Sequence, residues 1–283
     1  MMSLEGLRER ARSYASENWH TWVTTLAAIV LALIVGAILM VVTDPAVMAN
    51  FAYLFTAPQL ALGGAWAKVS SAYSALLAGA IGSPEALAHT TSKAAPLISA
   101  GLGVGLAFRA GLFNIGAQGQ AVMGSIVAAY IGFAVPLPYG LHLLVAVVGG
   151  IIAGAIWGGI VGWLKAATGA HEVIVTIMMN YIAGGILAWL LTTAAFQAPG
   201  RNDPISPLIL PTAAFPSIYG QFHVGFLVAL LAAAFVWWLL DRSTTGFAIR
   251  AVGANPLAAA NAGMSVSRTM VITMTVAGGL AGL

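Results

Sequence analysis

The chain has 283 residues, 60% of them hydrophobic and 7% charged, with a formal net charge of +3. A soluble domain carries about 25% charged residues; a chain this apolar lacks the polar surface for a water-facing fold, so its solvent is lipid. It contains no cysteine, which excludes disulfides, thiolate metal sites and cysteine nucleophiles together.

Behind Arg8, Arg10 and Arg12 an uncharged apolar stretch runs from Trp22 to Val42. It is long enough to cross roughly 30 Å of hydrocarbon and too long for the apolar part of a signal peptide. Trp19 and Trp22 stand at its entrance, where amphipathic rings prefer the interface. Segment 43–87 is the ambiguous piece: it holds Pro58, Lys68 and several serines, and its apolar run Val69–Ile81 is short for an upright crossing. Further spans are expected near Ala88–Phe108, Ala117–Val135, Leu141–Leu164, Val173–Ala195 and Phe222–Leu240, with a last one opening at Thr269. All are helices, because an open strand in lipid leaves backbone groups unpaired. The expectation is an all-α polytopic transmembrane helical bundle of about seven spans, forming a single domain over 1–283. Thr269–Leu283 is apolar to its last residue and shorter than the ~20 residues a span needs. The reading is therefore of a chain truncated inside a helix, with further spans beyond.

Lysine and arginine placement orients the bundle. With the N-terminal segment 1–21 cytoplasmic and 43–87 an extracytoplasmic interfacial segment, Arg8, Arg10, Arg12, Arg109, Lys165, Arg242, Arg250 and Arg268 face the cytoplasm. Only Lys68, Lys93 and Arg201 lie outside. Letting 45–84 span would flip every later loop and abolish the bias, so the first topology fits the positive-inside rule.

Enzyme chemistry finds no foothold. No lysine follows glycine in a phosphate-binding loop, and no serine sits in a Gly-x-Ser-x-Gly elbow. His171-Glu172 imitates the start of a zinc-protease helix but lacks the second histidine, so no metal site is expected. His20, His89, His142 and His223 fall at span ends, where interfacial placement is the default. Glu172, Arg109, Lys165 and Asp241 also lie at span edges, whereas ion-coupled carriers hold a titrating group at mid-membrane. That points to energy supplied from outside the chain.

Neutral polar residues are present instead. Asn114, Gln118, Gln120, Thr176 and Asn180 are candidates to line a path for an uncharged polar solute, although each alone could equally bond helix to helix. Gly150, Gly154, Gly158 and Gly162 repeat every four residues along one helix face, a pattern that lets backbones approach closely in lipid. Between the last two spans, 241–268 reads as a short helix, a turn at Gly253-Ala254-Asn255-Pro256, and a second short helix ended by Gly263. This compact knob could dock in a groove of a partner.

Segment 241–268 resembles the loop that couples permeases of the branched-chain amino acid, ribose and nucleoside import family to their ATPase. Thr245-Gly246, Arg250-Ala251-Val252-Gly253, Asn255, Ala259-Ala260 and Gly263 stand at that family's spacing. Pro96-Leu97, Phe108-Arg109-Ala110-Gly111-Leu112-Phe113-Asn114-Ile115-Gly116, Gly119-Gln120 and His171–Ile182 resemble its nucleoside (simple sugar) branch. The likeness runs from about Leu76 to the end. It implies a transmembrane permease domain in a bacterial inner membrane, with Gly246, Arg250, Gly253, Asn255, Ala259, Ala260 and Gly263 in the ATPase-coupling loop. The implied partners are a cytoplasmic ABC ATPase holding ATP and Mg, a second homologous permease, an extracytoplasmic solute-binding lipoprotein and membrane lipid. The chain itself would carry no cofactor, bind no nucleic acid and be no enzyme. The alternative from the spans alone is a stand-alone secondary carrier or channel for a small neutral solute.

Overall fold

The computed structural model describes residues 19–283. Arg8, Arg10 and Arg12, on which the cytoplasmic placement of 1–21 rests, lie outside the described residues. Contacts divide the described chain at Ser83/Pro84 into two compact units.

In the first unit, α1 (Trp19–Val42) is apolar around its whole circumference and buries none of its residues, as suits a helix bathed in lipid. The short α2 (Pro45–Asn50) starts where Asp44 accepts hydrogen bonds from the amides of Ala46 and Val47, at 3.0 and 3.2 Å. These satisfy two donors that a helix start leaves open. A 3₁₀ turn, Phe51–Tyr53, leads to α3 (Pro58–Ile81). Here the helix exceeds the apolar run Val69–Ile81 seen in the sequence. Pro58 sits in its first turn, where a missing N–H costs nothing, and its 24 residues match the length of α1. Lys68 Nζ meets the Asp44 carboxylate at 2.6 Å, and the Tyr73 hydroxyl donates to the Leu33 carbonyl at 2.6 Å.

The second unit contains α4 (Pro84–Arg109), α5 (Ala117–Ala134), α6 (Leu141–Thr168), α7 (Glu172–Leu190), α8 (Gly225–Arg242), α9 (Thr244–Ala254), α10 (Pro256–Asn261) and α11 (Val266–Ala281). Among the described residues α1, α6, α7 and α8 are long and apolar enough to cross a membrane by themselves. Helix α4 has the length but carries Glu85, His89 and Lys93 in its first turns. The span expected from Phe222 begins instead at Gly225, because Phe222–His223 pairs with Ser217–Tyr219 as a small antiparallel hairpin, β2 with β1.

Helix α11 is the post around which the unit packs. Cβ atoms added to Gly154 and Gly158 of α6 would overlap the carbonyl oxygens of Gly278 and Met274, and one at Gly150 would lie 2.7 Å from the Gly282 oxygen. Likewise a Cβ at Gly103 of α4 would lie 2.5 Å from the Ala277 oxygen, and one at Gly124 of α5 would lie 2.5 Å from Gly282 Cα. The backbones are in contact, with no side chain between. Leu106, Leu112, Val161, Ile249 and Met274 fill the core beside these crossings.

The end of the unit away from Arg109 is fastened by side chains. His142, expected at an interface, is fully buried. Its Nε2 lies 2.9 Å from the Ile131 carbonyl and its Nδ1 2.7 Å from Thr212 Oγ1. A carbonyl only accepts, so Nε2 carries the proton and the threonine hydroxyl donates to Nδ1. Tyr219 donates to Glu85 at 2.6 Å, and His223 pairs with Ser92 at 3.1 Å. Together these hold segment 191–224 against α4 and the α5–α6 turn.

Two outcomes follow. A leucine at Gly154 should force α6 from α11 and cost about 1–3 kcal/mol or more, read as a lower melting temperature of the detergent-solubilised chain. Gly101→Ala, with open space at its Cβ, should leave it unchanged. In the first unit, the Lys68 ammonium holds the Asp44 carboxyl below its ordinary pKa of 3.8. Its stabilisation is then complete above that value and disappears as the pH falls through the lowered one. Asp44→Asn should keep the cap and lose this pH dependence, whereas Asp44→Ala should lose both and speed hydrogen exchange over α2.

Candidate functional site

The candidate site is the knob formed by α9 and α10. Ser243 caps α9 by accepting from the Gly246 amide at 2.9 Å, while its hydroxyl donates to the Leu239 carbonyl at 2.6 Å. One side chain thus ends α8 and starts α9. Along α9, Gly246, Ile249, Val252 and Gly253 fall at helical spacing and face inward, with Ile249 and Val252 sealed from solvent. A Cβ at Gly246 would overlap the Leu239 carbonyl, and one at Gly253 would overlap the Arg109 carbonyl. Helix α9 therefore lies directly on the ends of α8 and α4.

Arg250 does not point away from the protein. Its Nη1 donates to the Leu240 carbonyl and lies 3.3 Å from Asp241 Oδ1. A guanidinium on the last carbonyls of α8 complements the negative end of that helix and straps α9 to it. Asn255 caps α10, accepting from the amides of Leu257 and Ala258 at 3.0 and 3.1 Å. Ala259 is buried and Ala260 is exposed. Gly263 closes the knob at φ +84°, its amide donating to the Ala260 carbonyl at 2.9 Å; a left-handed residue after a helix is a glycine position. Phe247 is 56% exposed and Leu257 78% exposed. Sequence reading passes over these two; the signal for them is a large apolar group off the inward Gly246–Ile249–Val252 spacing at Phe247, and one beside the small residues Ala258–Ala260 at Leu257.

Around the turn 110–116 the structure gathers four of the five path candidates. Asn114 and Gln120 are buried and pair amide to amide, each donating to the other at 3.1 Å. Asn114 Oδ1 also accepts from the Gly116 amide at 3.0 Å. Asn180 Oδ1 accepts from the Gly119 amide at 2.7 Å, and its Nδ2 donates to the Ile115 carbonyl at 3.0 Å. Thr176 is buried against Gly116, its hydroxyl bonded to the Val173 carbonyl at 3.0 Å. Gln118 alone of the five is exposed. Nearby, Lys165 and Glu172 form an ion pair at 2.9 Å between α6 and α7. Among the described residues no group of three or more His, Asp or Glu side chains could hold a metal ion.

The family profile described as "Branched-chain amino acid transport system / permease component" matches residues 86–283. The chain is 40% identical over 218 residues to the guanosine ABC transporter permease protein NupP of Bacillus subtilis, covering 76% of this chain and 63% of that protein. It is 35% identical over 222 residues to the nucleoside ABC transporter permease protein NupB of Lactococcus lactis, covering 75% of this chain and 61% of that protein. A third relative, the glucose ABC transporter permease protein TsgB13 of Haloferax volcanii, is 30% identical, with 75% of this chain and 59% of that protein covered. The chain thus spans less than two thirds of the length of the curated relatives it matches. No solved structure matches it.

Replacing Arg250 by glutamate would set a carboxylate against the Leu240 carbonyl and Asp241. The expected result is faster tryptic cleavage at Arg242 with membrane insertion intact. Loss of insertion instead would make Arg250 a topology anchor.

Proposed function

Because this chain belongs to the branched-chain amino acid transport system / permease component family, we propose that it is the permease subunit of an ATP-driven importer. In this reading it moves nucleosides or a related small polar solute inward by alternating access, and ATP is hydrolysed with Mg on a separate cytoplasmic ABC ATPase. The membrane is the bacterial inner membrane, with the N-terminus and the knob cytoplasmic.

The observation that carries the proposal is the knob itself. Its inner face is locked to the ends of α4 and α8, and its outer face presents Phe247 and Leu257 to water. Large exposed apolar groups on an otherwise small-residue surface suit the buried centre of a protein interface. A partner gripping them would move the two membrane helices directly. The Lys165–Glu172 ion pair supports an outside energy source, since the buried carboxylate is occupied by a lysine at 2.9 Å rather than left open to a coupling ion.

Segment 196–220, with Leu208 exposed and Arg201 paired to Asp203 at 2.7 Å, is the proposed docking region for an extracytoplasmic binding lipoprotein. A second homologous permease completes the pathway. Nucleosides are preferred over sugars because the guanosine and nucleoside permeases are more similar to this chain than the glucose permease.

Mass spectrometry of what co-purifies with the tagged chain from gently solubilised native membranes tests the proposal. An ATPase and a second permease are expected, with ATP hydrolysis stimulated by guanosine in the presence of the binding lipoprotein. Leu257→Asp should cut ATPase recovery at least tenfold. A chain recovered alone, with uptake that follows an ion gradient, would replace the importer by a secondary carrier.

A further inference from the structure

Four amides and hydroxyls that look suited to greet a polar solute are consumed inside the protein, and the pattern in which they are consumed joins the knob to the bundle. Gly253 of α9 lies against the Arg109 carbonyl and the turn that follows it; Gly111 in that turn adopts φ +73°, and its Cβ position is 3.5 Å from Gly253 Cα. At Gly111 the positive φ favours glycine, and at Gly253 the overlap a Cβ would make with the Arg109 carbonyl requires it. The turn continues to Asn114, which grips Gln120 of α5, and to Ile115, whose carbonyl is held by Asn180 of α7.

Asn180 has a second task. Helix α5 starts at Gly116 without any capping side chain of its own, so amides in its first turn lack partners inside the helix. Asn180 supplies one from another helix by accepting from Gly119. A single amide thus clamps both sides of the α5 start, the residue before its cap and the residue three after it. No slack is available: a Cβ at Gly119 would lie 2.7 Å from Asn180 Oδ1 and 3.0 Å from Asn180 Cα.

We propose that Asn180 is a positioning residue that couples α7 to the knob through the α5 start, so that movement of α9 is passed to α5 and α7 together. The contacts from Gly253 to Asn180 form one unbroken series of backbone approaches and hydrogen bonds, whose side-chain links are the amides of Asn114, Gln120 and Asn180, each held by at least two hydrogen bonds. Asn180 acts on the conformational step and does not contact solute. This rests on the importer reading above.

The test uses the complex captured from native membranes through the tagged chain, with Asn180→Ala and, from the other side of the same junction, Gly119→Ala. ATP hydrolysis is measured against guanosine concentration and normalised to folded complex. Both variants should retain ATPase capture and the half-saturating guanosine concentration while losing at least tenfold of the guanosine-stimulated rate. Asn180→Asp, which keeps the acceptor for Gly119, should recover part of it. A raised half-saturating concentration with the maximal rate preserved would overturn the inference and make Asn180 a path residue. Wild-type rate per folded complex, with only the yield reduced, would overturn it too by leaving a merely structural role. Failure of the unmodified complex to show guanosine-stimulated hydrolysis would instead sink the importer reading, which separates the two ideas.

Discussion

Lipid is as apolar as a leucine side chain, so helices in it gain nothing from hiding apolar surface from one another. Close contact between backbones is what remains, and in this protein it is concentrated on α11. Helices α4, α5 and α6 each bring a glycine to it: Gly103 at Ala277, Gly124 at Gly282, and Gly154 and Gly158 at Gly278 and Met274. The remaining long helices join through these: α7 packs on α5, and α8 packs on α4. The end of α4, at Arg109, is where the knob rests. Because α10 leads directly into α11, the knob is also continuous with the post itself.

The two ends of this unit are built from different materials. At the knob end, Gly246 and Gly253 let backbone lie on backbone, and Ser243 and Arg250 add side-chain bonds across the same junctions. At the other end, segment 191–224 is held by side chains: His142 with Thr212, Tyr219 with Glu85, and His223 with Ser92. Side-chain ties of this kind can exchange partners more readily than two backbones in contact can separate. An importer subunit of the kind proposed has a corresponding need. The end gripped by an ATPase should transmit displacement without loss, and the end that opens outward should release and re-form its contacts.

The amide cluster shows how a low-dielectric interior disciplines polar residues. An unpartnered amide buried there costs about 1–3 kcal/mol, so Asn114, Gln120 and Asn180 are held where each finds partners. Asn114 and Gln120 satisfy one another, and Asn180 completes a helix start that has no cap of its own. Polar residues in a span are thus as much a statement about backbone geometry as about solute. Composition cannot separate the two.

The sequence alone determined the solvent, the helical class and the position of most helices, because apolar content and run length are local properties that lipid reads directly. It also determined the helix–turn–helix between α8 and α11, since Ser243, Asn255, Pro256 and Gly263 act on their immediate neighbours. Tertiary structure decided what faces what. Helix α3 extends back to Pro58 and Phe222–His223 forms a strand, because packing and pairing outrank local apolarity at element ends. His142 is buried because Thr212, seventy residues away, supplies its partner. Arg250 is a strap for α8, and Asn180 is a clamp for α5, because both depend on atoms brought near by the fold. Spacing along a chain records which residues share a helix face, but the identity of the group opposite that face exists only once the helices have met.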